Sequence, residues 1–121
     1  MSRLAIVCFV AVLSVFAVPV YAQDDEDMAY LKKMHDEALQ YMAEATAAAD
    51  AGDEARECEA LKQVILSTGS GYMTASVAAD DMRDNGESDD QIALMESLAA
   101  DFLEQKNVVG QMSAGCIPYY Q

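Results

Sequence analysis

The chain has 121 residues, 21 of them acidic and 7 basic, for a formal net charge of −14 and a pI near 4.1. A surface with that surplus repels nucleic acid and anionic lipid, and attracts cationic partners. A single histidine, and the lack of any G-x-S-x-G, P-loop or dinucleotide fingerprint, argue against nucleophilic and nucleotide chemistry.

The first stretch reads as a targeting segment. Arg3 precedes an apolar run from Leu4 to Val18, then Pro19 and the small-residue site Val20-Tyr21-Ala22. That is the layout of a secretory signal peptide cleaved after Ala22. The run is shorter than the ~20 apolar residues a bilayer span needs. Removing 22 of 121 residues leaves a mature chain of 99, residues 23–121, which is one domain by size. Cleavage takes Arg3 and no acid, so the mature charge is 6 − 21 = −15. No second apolar segment is long enough to span a membrane. We therefore expect an exported protein, periplasmic or extracellular.

Cys8 leaves with the signal, and Cys58 and Cys116 remain. An even pair in an oxidising compartment predicts one disulfide. Closing a loop of that length stabilises by ~4 kcal/mol as an upper figure. The pair is not a CxxC redox motif, and the CxxCH haem signature is absent.

The acidic lead-in Gln23-Asp24-Asp25-Glu26-Asp27 suits a helix N-terminus. The first helix is predicted over about Asp25 to Ala51, with the stripe Leu31, Met34, Ala38, Tyr41, Ala45 and Ala48. Met28, His35 and Met42 flank that stripe at intervals of seven. Gly52 is a helix stop and Asp53 an N-cap, so the next helix should run antiparallel.

The second helix carries the longest stripe: Cys58, Leu61, Ile65, Thr68, Tyr72, Ala75, Ala79 and Met82, at alternating steps of three and four. Ser67-Thr68-Gly69-Ser70-Gly71 alone reads as a loop, and two interior glycines cost ~2 kcal/mol against alanine. The stripe nevertheless keeps its phase across it. We favour one long helix, straight or kinked, with the small residues marking close backbone approach. Two shorter helices breaking at Gly69–Gly71 are the alternative.

Asp84-Asn85-Gly86-Glu87 ends that helix, and Ser88-Asp89-Asp90-Gln91 reads as a capping box. The third helix is predicted from about Asp89 to Asn107, extending at most to Met112, on Ile92, Met95, Leu98/Ala99, Phe102 and Val109. Lys106 interrupts this stripe. An irregular tail follows from about 108. A helix rise of ~1.5 Å per residue and up to ~3.6 Å per extended residue let the tail reach Cys58. The fold expected is an all-α, three-helix up-down-up bundle stapled by Cys58–Cys116. Gly52 and Gly86 stand 34 residues apart, a helical-hairpin period without the aromatic and glycine signature of tetratricopeptide repeats.

The function expected is that of a non-catalytic acidic protein of the cell envelope, with a basic protein partner. No cofactor and no catalytic residue is assigned. The first alternative is a copper-handling protein. Thioethers with an imidazole select Cu(I), and Met28, His35 and Met42 are the weak candidates, although methionine also fills gaps in helix cores. His35 reads more simply as a partly exposed, hydrogen-bonded flank residue. The second alternative is a small-ligand carrier with a cavity between helices near Gly69 and Gly71. A calcium loop fails: with Gly86 as sixth residue, Arg83 and Ile92 occupy ligand positions three and twelve. Tyr119 and Tyr120 are expected to fold back over the bundle's end beside the disulfide. The sequence sets no oligomeric state.

Overall fold

The structure is a computed structural model that describes residues 25–120. The signal-peptide reading and Cys8 lie outside the described residues. Three helices follow in order: α1 Asp25–Asp50, α2 Glu54–Asp84 and α3 Asp89–Met112, then a short 3-10 helix Ala114–Tyr119. The described residues contain no strand.

Both turns are closed by the same device. At the end of α1, Gly52 takes φ +73°. Its N–H donates to the Ala49 carbonyl, and the Asp53 N–H donates to that of Ala48. At the end of α2, Gly86 takes φ +71°. The Gly86 N–H meets the Arg83 carbonyl and the Glu87 N–H that of Met82. This paired pattern satisfies helix-end carbonyls and needs a left-handed residue, which glycine supplies without a Cβ clash. Each following helix then starts on a side-chain cap. Asp53 accepts from the Arg56 N–H at 3.1 Å and Ser88 from the Gln91 N–H at 3.3 Å.

The second helix is continuous through Ser67–Gly71, as the unbroken stripe predicted. Thr68 Oγ1 donates to the Val64 carbonyl at 2.7 Å, so its buried hydroxyl is absorbed by its own helix. A Cβ at Gly71 would lie 2.5 Å from the Phe102 ring, so glycine lets that ring reach the α2 backbone.

α1 and α3 each pack along α2, and no Cα of α1 comes within 8 Å of one in α3. The middle helix is therefore contacted on two sides, and its buried arc is wider than one stripe. Val64, Ser67, Gly71 and Ala78 are buried beside the expected positions. α1 is also rotated from the expected arc: Met42 and His35 are inside, while Tyr41 is only partly buried. His35 is thus corrected from a partly exposed flank residue to a fully buried one. α3 runs to Met112, the further of the two ends expected, and the tail beyond it is a 3-10 helix rather than irregular chain.

Cys116 is bonded to Cys58 across 5.5 Å between Cα atoms. The tail folds back onto α2 through its tyrosine hydroxyls, while Ile117, Tyr119 and Tyr120 stay exposed rather than covering the bundle's end. The Tyr120 hydroxyl donates to the Cys58 carbonyl at 2.8 Å and that of Tyr119 to Glu54 at 3.3 Å.

Candidate functional site

The core is not one apolar mass. One cluster, at the disulfide end, gathers Ala38, Met42, Leu61, Val64, Val109 and the disulfide. The other, toward Gly86, gathers Leu31, Met34, Ala75, Met95, Leu98 and Phe102. Between them each helix contributes a polar residue. His35 on α1, Ser67 and Thr68 on α2, and Gln105 on α3 are all buried.

Antiparallel register puts these residues at one level. Ser67 Oγ donates to the Glu37 carboxylate at 3.5 Å, which sets Thr68 near the height of His35. The Gly71–Phe102 and Gly69–Lys106 contacts set Gln105 at the height of Thr68. Burial lowers the His35 pKa below its ordinary value, and the Asp36 carboxylate opposes that shift in part. Gln105 is only 3% exposed. Its amide nitrogen and oxygen have no hydrogen-bond partner among the described residues. On the next turn Asp101 is raised, chiefly by burial and further by Glu104.

Gln105 was missed because the expected stripe passed through Lys106. The signal was present: 95, 98, 102, 105 and 109 step by three and four, and Gln105 completes the series. Lys106 instead lays its aliphatic stem beside Gly69, 3.8 Å from where a Cβ would sit.

The copper candidates are not brought together. Met42 lies in the disulfide-end core, while Met28 packs against the opposite cluster. Each is seven residues from His35, ~10 Å along the helix axis, too far to share one ion. Among the described residues, no three His, Cys, Asp or Glu side chains are placed to hold a metal.

The space expected beside Gly69 and Gly71 is filled by Phe102 and Lys106. An open groove of about 310 Å³ begins at the next residue, Tyr72, between α2 and α3. Tyr72, Ser76, Ala79 and Leu103 line it, together with Arg83, which pairs with Asp80 and Glu96.

The outer face of α2 differs from the rest of the surface. No charged residue occurs between Lys62 and Asp80. Leu66, Met73 and Val77 are 54%, 66% and 57% exposed there, at spacings that put them on one side of the helix. Beyond that stretch the surface exposes clusters of carboxylates: Asp80, Asp81, Asp84, Asp89 and Asp90 toward Gly86, and Asp50, Asp53, Glu54 and Glu59 toward the disulfide, where Arg56 and Lys62 stand among them. The tail exposes a second apolar group, Ile117, Tyr119 and Tyr120.

Among the described residues no helix is long and apolar enough to cross a membrane. No protein family, curated protein or solved structure matches the chain.

Proposed function

We propose that the protein is a non-catalytic, exported binding or accessory protein that engages a basic protein partner. The observation that carries this reading is the charge distribution. Both ends of the bundle expose clusters of carboxylates. Near Gly86, Arg83 is already engaged with Asp80 and Glu96. Such a surface speeds encounter with cations, and the field weakens as salt rises. Export is supported by the disulfide, which suits an oxidising compartment.

The test is capture from the exported fraction of the source cells at two ionic strengths, with the captured protein identified. A basic protein retained at low salt and released by 0.5 M NaCl is the expected result. Capture indifferent to salt, or of acidic proteins alone, would refute an electrostatic partnership. A carboxylate-neutralised chain, with Asp80, Asp81, Asp84, Asp89 and Asp90 all changed to Asn, should lose most of the captured partner.

A further inference from the structure

We infer that the outer face of α2 is a docking face for one amphipathic helix with an apolar middle and a basic end that lies toward Gly86. The inference rests on the basic-partner reading and adds where that partner sits and what form it takes.

Leu66, Met73 and Val77 project from one side of α2 and are each more than half exposed. Ser70 lies between them and is small, so a partner helix can come close there. The three apolar residues span 11 helical steps, ~16 Å of helix. Charge returns only beyond them, with Glu59 and Lys62 toward the disulfide and Asp80, Asp81 and Asp84 toward Gly86, all exposed. From Glu59 to Asp84 the face is ~37 Å long, the length of a 25-residue helix.

The charge at its two ends selects the occupant. On this face Glu59 stands beside Lys62, and Asp80, Asp81 and Asp84 stand together with only Asp80 paired among the described residues, to Arg83, so the surplus of carboxylates lies toward Gly86. A second copy of the chain would bring the same surplus of carboxylates to the seam. An anionic lipid surface is repelled for the same reason. A helix whose apolar anchors match the seven-and-four spacing, with lysine or arginine beyond them at one end, meets apolar with apolar and cation with carboxylate. This is helix-on-helix recognition of the zipper kind, with anchors read at helical spacing. The carboxylate excess is at Asp80–Asp84, so the basic end of the partner lies toward Gly86.

Two synthetic 25-residue helical peptides of identical composition provide the probe. One has apolar anchors at the matching spacing and lysines at one end, and the other has the same residues scrambled. Binding to the disulfide-intact chain is read by fluorescence anisotropy at 20 and 150 mM NaCl. The patterned peptide should bind at least tenfold tighter than the scrambled one. Met73→Glu and Val77→Glu should each weaken it at least tenfold while far-ultraviolet dichroism stays unchanged. Equal binding of both peptides, or binding unaffected by either substitution, overturns this face and leaves a diffuse basic partnership standing. Binding of neither peptide overturns this face, and the capture experiment at two ionic strengths decides the basic partnership separately. A wild-type chain that sediments as a dimer and becomes a monomer on Met73→Glu assigns the face to a second copy, which also overturns the proposal.

Discussion

Gln105 is the residue at which this bundle departs most from an ideal core. It occupies an interior slot between Phe102 and Val109, where the helical period calls for an apolar side chain. A buried amide without partners loses its water and gains no protein hydrogen bond, which costs roughly 1–3 kcal/mol. Leucine is of comparable size and has no polar atom. Gln105→Leu should therefore raise the chain's stability by roughly 1–3 kcal/mol in urea unfolding. A variant less stable than wild type would mean that the amide is satisfied in solution. The neighbouring Thr68 makes a useful contrast, because its hydroxyl is bonded to Val64 and the same logic gives no gain there. His35 is buried at the same level, so the chain carries polar side chains from all three helices in the middle of its core.

On the scale of one helix, α2 shows why five small residues can read as a loop and fold as a helix. Gly71 and Gly69 are two residues apart and meet different neighbours. A Cβ at Gly71 would lie 2.5 Å from the Phe102 ring, whereas one at Gly69 would meet only the Lys106 stem at 3.8 Å. Alanine is favoured over glycine in a helix by ~1 kcal/mol. Gly69→Ala should accordingly stabilise by up to ~1 kcal/mol. Gly71→Ala should destabilise by roughly 1–3 kcal/mol, because the overpacked ring must move. Thermal unfolding of the two variants should shift in opposite directions, and a Gly71→Ala chain as stable as or more stable than wild type would refute the close contact. The helices, both turns and the disulfide were legible because each rests on local signals: Gly52 and Gly86, the caps Asp53 and Ser88, and a phase held from Cys58 to Met82. The buried places of His35 and Gln105 were not. Which of two adjacent stripes faces inward depends on how a helix is rotated against its neighbours. A helix touched from two sides, as α2 is, buries more than its own period reveals. The α2–α3 groove was illegible for the same reason, since it opens where Tyr72 and Leu103 from different helices leave space between them. The exposed run of Leu66, Met73 and Val77 was visible only as residues outside the expected stripe, and exposure gave them meaning.

Taken whole, the molecule is a rod of helices bearing far more negative than positive charge, and that imbalance bears on stability as well as on partners. The disulfide and the two apolar clusters hold together a surface whose carboxylates repel one another. Ion pairing relieves this at particular points, as where Arg83 meets Asp80 and Glu96, both of them exposed pairs. Exposed pairs of this kind are worth ~0–1 kcal/mol and weaken as salt is added. The repulsion is spread over 21 acids against 7 bases in the full sequence, so it outweighs those pairs. Salt screens exposed charges over a Debye length of ~30 Å at 0.01 M and ~8 Å at 0.15 M. At low salt most of the carboxylates therefore feel one another, and at physiological salt only near neighbours do. Unfolding moves the charges apart, so screening favours the folded chain more than the unfolded one. The melting temperature should rise between 0.01 and 0.15 M NaCl, by several degrees for each kcal/mol of relief at about 100 residues. Sodium chloride suits the test because it is neither strongly excluded from protein surfaces nor denaturing at these concentrations. A melting temperature that falls over the same interval would mean that attractive pairs dominate the surface. That outcome would also weaken the case for an electrostatically recruited basic partner, since both rest on carboxylates that remain unneutralised in the folded chain.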